Sequence, residues 1–87
     1  MKLVLVEWLD IIGEDSWQSL QKARAVSPMR FRSVGWLLRD DKKAVVIAAC
    51  HSLKDDTTGS VTSIPRGCVV SVKPLKGYQM PTNPVSD

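Results

Sequence analysis

The chain has one histidine, two cysteines and no glycine-rich phosphate loop, and each scarcity removes a class of chemistry. With His51 alone there is no paired-histidine metal motif. Cys50 and Cys68 belong to no CxxC pair, so a zinc site of the usual spacing is not expected, and no cofactor is. No apolar run approaches the ~20 residues of a membrane span. Leu3 to Val6 is apolar but is broken at once by Glu7 and Asp10, too short for the apolar region of an export signal. These absences predict a cytoplasmic protein without membrane contact. A dense lysine–arginine stripe is also missing. The net charge of +3 is a mild basic bias, which permits an anionic partner and makes nucleic acid the less favoured one.

What is present suits one small folded domain. The 87 residues are 44% hydrophobic and 24% charged, with both signs. A chain this short has a thin stability margin, which disulfides, a metal or self-association commonly supplement. Cys50 and Cys68 each sit in an apolar run and read as reduced core thiols, with a cross-strand disulfide as the alternative.

Residues 3–10 alternate as a strand, with Val4, Val6, Trp8 and Asp10 on one face and Leu3, Leu5, Glu7 and Leu9 on the other. Gly13 interrupts. Asp15 followed by Gln18 resembles a capping box, and Trp17, Leu20 and Arg24 keep helical spacing, so a helix is predicted over roughly 16–25, ended by Pro28. Strands follow at 30–39, 44–53, 61–64 and 68–75. Asp40 to Lys43 forms a hairpin turn, and Pro65-Arg66-Gly67 a tight corner. The fold class is therefore mainly β. The predicted form is a small five-stranded antiparallel barrel of the SH3 or Sm type, with one short helix inserted after the first strand. An open five-stranded sheet with the helix packed on one face is the competing architecture. Residues 1–76 form the domain, and 77–87, with Pro81 and Pro84, a flexible tail.

Catalytic groups are few. Cys50 and Ser52 flank His51 in a strand and point to the opposite face, so no nucleophile–base set is expected, and the chain is read as a non-enzyme. Asp40-Asp41 and Asp55-Asp56 occupy turns, where aspartate bonds its own backbone. The aromatics are more telling. Trp8, Trp17 and Trp36 each serve a core by default, or stack on a ligand or partner. Arg24, Arg30, Arg32 and Arg66 offer forked donors suited to phosphate. An indole face with an arginine fork makes a nucleotide pocket. Gly35 inside a strand marks a bend or a close approach to the backbone. The candidate ligand-binding set is Trp8, Asp10, Trp17, Arg24, Arg32, Gly35, Trp36 and Arg66.

Val6-Glu7-Trp8-Leu9-Asp10, Ser33-Val34-Gly35-Trp36-Leu37-Leu38 and Ile64-Pro65-Arg66-Gly67, in that order, resemble a set of small bacteriophage proteins. The resemblance spans about residues 3–75 and carries no residue role. It implies that the cytoplasm in question is that of a host cell. A looser parallel is to phage anti-defence proteins that act as sponges, oligomers sequestering the nucleotide signals of host immunity. Two functions stay open. One is a non-catalytic homo-oligomer that sequesters a small anionic, nucleotide-like ligand between its subunits. The other is an SH3-like interaction module or inhibitor that binds a host or phage protein.

Overall fold

The structure, a computed structural model, describes residues 1–75. Five antiparallel strands form a single sheet: β1 (Leu3–Asp10), β2 (Met29–Asp40), β3 (Ala44–His51), β4 (Thr58–Pro65) and β5 (Val69–Pro74), in the spatial order β4-β3-β2-β1-β5. The mainly β reading is borne out, and β1 has the predicted limits. The closed barrel is not: β4 and β5 are the two edges of the sheet and are not paired with each other. They are nonetheless joined only by a short 3-10 turn, Arg66–Cys68. Four residue steps cover at most about 14 Å, so the sheet curls sharply to bring one end of each edge together. The Arg66 amide donates to the Lys43 carbonyl at 3.0 Å, which carries the β3–β4 ladder into this corner.

The alternation read from the sequence sets the two faces. Val4 pairs with Gly35 and Pro74, and Val6 with Ser33 and Val72. The core is Val4, Val6, Val45, Ile47 and Ile64, all nearly solvent-free, with Trp8, Leu37, Cys68, Val69 and Val72 packed on it. No polar side chain among the described residues is buried. Gly35 fits because a side chain there would collide with β3: a Cβ would lie 2.9 Å from the Ala48 carbonyl oxygen and 3.1 Å from Ile47 Cβ. The approach that sequence reasoning left open is made by the chain's own backbone.

The turns behave as their aspartates suggest. Asp41 accepts from the amides of Lys43 (2.8 Å) and Ala44 (3.0 Å), and Asp55 from the amide and hydroxyl of Thr57. Arg39 beside Asp41, with those two amides, draws its carboxyl down to about 2. Asp55 is also lowered, chiefly by the Thr57 hydroxyl.

The predicted helix over 16–25 needs correction. Only Leu20–Arg24 is helical, and the cap is Ser19, whose Oγ accepts from the Lys22 amide at 3.2 Å. Asp15 caps nothing. Every residue from 11 to 28 is exposed, so the helix, α1, packs on neither face of the sheet. The packed helix of the competing architecture is absent as well. Residues 11–28 form an arm. With it the radius of gyration is 17.5 Å, against about 12 Å for a compact chain of this length. Among the described residues no helix is long and apolar enough to cross a membrane. The expected tail, residues 77–87, lies outside the described residues.

Candidate functional site

The candidate residues do not converge on one pocket; the fold distributes them over separate places. Trp8 and Asp10 lie at the end of β1, where it faces β4 across a hollow of about 310 Å³ that Ile64, Pro65 and Cys68 also line. The Trp8 indole N–H donates to Ser33 Oγ at 3.0 Å, and its ring meets Phe31 with centroids 5.3 Å apart at 33°. Both contacts hold the indole against the core, and it lines the hollow from there. Asp10 accepts from the Ile11 amide at 2.8 Å, which turns the chain out of β1 into the arm.

Trp17 and Arg24 sit on the arm. The Trp17 side chain is as open as an isolated residue, at 102% relative exposure, so the default reading of this indole as core is wrong. Its helical spacing to Leu20 misleads because there is no body beneath the helix to pack against. Ile11, Ile12, Leu20 and Val26 are exposed alongside it.

Arg32 lies on the face of the sheet away from the core. It and Arg30 share one carboxylate: Arg30 Nε is 3.1 Å, and Arg32 Nε 3.6 Å, from Glu7 Oε2. Two cations on one anion leave a local surplus of positive charge in a shallow hollow with Phe31. Sequence reasoning named Arg30 among the forked donors, with Arg24, Arg32 and Arg66, but left it out of the candidate set. The register Glu7↔Arg32 is what joins the three side chains.

Trp36 pairs with Leu3 on one side and Ala48 on the other, and is half-buried in a separate hollow with Met1, His51, Leu53 and Asp56. There His51 Nε2 lies 2.6 Å from Asp56 Oδ1. This pair ties the end of β3 to the loop after it. Arg66 lies at yet another place. Its Nε donates to the Asp41 carbonyl at 3.0 Å and its Nη2 pairs with Asp40, so it locks the corner to the β2–β3 turn. That explains an arginine in the Ile-Pro-Arg-Gly corner without a ligand. Gly35 is taken up by the Ala48 backbone.

Both cysteines are free. Cys68 is half-buried, but Cys50 is exposed, which corrects its reading as a core thiol, and the two are not bridged. Among the described residues, no group of three or more His, Cys, Asp or Glu could hold a metal ion.

The charges sort by location. Four of the five arginines, Arg30, Arg32, Arg39 and Arg66, have a carboxylate partner on the body. Arg24 has none among the described residues, and neither have Glu14, Asp15 and Lys22 on the same arm. The arm thus combines an open indole, exposed aliphatic side chains and uncompensated charge of both signs. Sequence reasoning picked out Trp17 and Arg24 but missed Ile11, Ile12, Glu14, Asp15 and Lys22. No local pattern marked them, because the helical spacing of Trp17, Leu20 and Arg24 implied a packed face that the fold does not provide. No protein-family model, curated protein or solved structure matches the chain.

Proposed function

We propose that this protein is a non-catalytic binding protein that works as a homo-oligomer and sequesters a small anionic, nucleotide-like ligand. One observation carries the reading: Trp17 is fully open on an arm that also bears Lys22 and Arg24, and no other part of the described chain covers it. An indole gives a base a surface to stack on, and nearby cations give a phosphate its counter-charge. A single body of this size has only shallow hollows, so a ligand would be enclosed where copies meet. The curled sheet, in this reading, is the body from which the arm projects.

The exposed aliphatic residues favour a second reading, an interaction module that grips a protein. Ile11, Ile12 and Leu20 outnumber the arm's two cations, and contiguous apolar exposure marks protein contact. The two readings separate in a nucleotide panel followed by thermal shift and native mass spectrometry. Sequestration requires a stabilised oligomer that retains nucleotide, and Trp17→Ala must abolish the shift while leaving the fold intact. No shift with any nucleotide, from an otherwise intact protein, discards sequestration and leaves the interaction module.

A further inference from the structure

We infer that the arm, residues 11–28, is covered by the same arm of a second copy, the two running antiparallel about a two-fold axis near Ser19. This deepens the proposal above, resting on it only for self-association. The first ground is the order of charges along the arm. Glu14 and Asp15 come before the apolar pair Trp17 and Leu20, and Lys22 and Arg24 after it. None of the four charged residues has an ion-pair partner among the described residues. Rotation by a half-turn about the middle of this pattern lays the acidic half of each arm on the basic half of the other. A two-fold interface must be self-complementary in this sense. Trp17 and Leu20 then fall at the centre and the charges at the edge, the arrangement of a stable interface with an aromatic anchor.

The second ground is size. The arm with the neighbouring Met29 and Phe31, both exposed, amounts to about twenty residues, which is what one side of a standard interface uses. A helix of five residues is too short to persist on its own in water. A partner arm across its apolar side supplies the packing that the sheet does not.

The test is a charge exchange in the full chain, read by sedimentation equilibrium and native mass spectrometry at micromolar concentration. Glu14, Asp15, Lys22 and Arg24 are exposed and lie outside the core, so the variants keep the fold. E14K/D15K and K22E/R24E each place like charges face to face, and each should weaken dimerisation more than tenfold. Mixed in equal amounts, the two should form a one-to-one heterodimer at least as tight as the parent dimer. The chain carrying all four changes should regain a homodimer. A parent protein that is monomeric overturns the inference. So does a dimer indifferent to both exchanges, or a mixture that fails to pair. Hydrogen exchange identifies a different occupant: arm amides protected to the same degree at every dilution, in a monomer, mean that residues 76–87 of the same chain lie on it, which overturns the pairing. Nucleotide binding is scored separately in the same samples. A dimer that rescues by charge exchange but binds no nucleotide supports the arm pairing and removes sequestration, whereas a monomer that binds nucleotide does the reverse.

Discussion

Replacing Gly35 with alanine should destabilise the protein in the absence of any ligand. The new Cβ would sit 2.9 Å from the Ala48 carbonyl oxygen and 3.1 Å from Ile47 Cβ. Neither neighbour is a flexible side-chain end. Ala48 has no solvent exposure and Ile47 has 4%, and β3 is held by β2 on one side and β4 on the other, so it cannot retreat without disturbing both ladders. Forced packing of this kind costs about 1–3 kcal/mol. Alanine narrows the unfolded ensemble and returns about 0.4–1 kcal/mol. The net loss is about 1–2 kcal/mol, which for a domain of this size is a fall in Tm of roughly 5–15 °C. Urea unfolding at matched protein concentration is the right assay, because apparent stability depends on concentration wherever copies of a chain associate. The midpoint should fall with the m-value unchanged. Gly13→Ala is the control, since nothing lies within 4 Å of a Cβ there. A Gly35→Ala protein as stable as its parent would refute the tight β2–β3 packing, and would return Gly35 to consideration as a ligand contact.

Three further outcomes follow from the same geometry. Trp8→Phe should cost about 1–2 kcal/mol through the lost bond to Ser33 Oγ; adding Ser33→Ala to it should cost little more in a double-mutant cycle, whereas independent losses would sum. Arg66→Ala should lower stability by about 1–2 kcal/mol, since it removes a bond to the Asp41 carbonyl and the Asp40 pair together; if it instead abolishes ligand binding at unchanged stability, the corner lock is misassigned. Asp41, whose carboxyl falls from 3.8 to about 2 on folding, contributes stability that is complete above pH 4 and lost as pH drops through about 2. Asp41→Asn should therefore flatten that part of the acid unfolding profile, and an unchanged profile would mean that its bonds to Arg39, Lys43 and Ala44 do not persist in solution.

The sheet was legible in the sequence because period two and turn chemistry agree there. Alternation grouped Val4 and Val6 on one face of β1 without telling which face is inward, which the core settles; Asp41 and Asp55 marked turns that they do bond, and Pro65-Arg66-Gly67 marked the corner. Closure was not legible, since it depends on whether two edges meet and no local pattern reports that. The helix was misread for a related reason. Asp15, Gln18, Trp17 and Leu20 carry the right local signs, but most helical stability in proteins comes from packing one face, and this segment has nothing of its own to pack on. Cys50 points outward near the end of a strand that is otherwise largely buried. The scatter of the candidate site has its own cause: residue types suggest what a pocket would need, but register decides which side chains meet. Arg66 finds Asp40 across 26 residues of sequence, and the Glu7↔Arg32 pairing is a fact of alignment between strands.

The division between body and arm has an energetic consequence for binding. On the body, each arginine has a carboxylate and each strand a neighbour; on the arm, neither indole nor charge is answered by the described chain. Ordering a residue's backbone costs about 1–2 kcal/mol, and an arm without contacts of its own has nothing to offset that until a partner arrives. Order in the arm and occupancy of its surface are then one event, with the partner's affinity reduced by the cost of ordering. Such coupling predicts that self-association is steeply sensitive to arm composition and almost insensitive to core stability. Gly35→Ala and E14K/D15K are complementary probes of it. The first should lower the unfolding midpoint with little effect on dimerisation under native conditions, the second should weaken dimerisation with little effect on the unfolding of the isolated body, and a protein in which both changes act alike on both quantities has no separable arm.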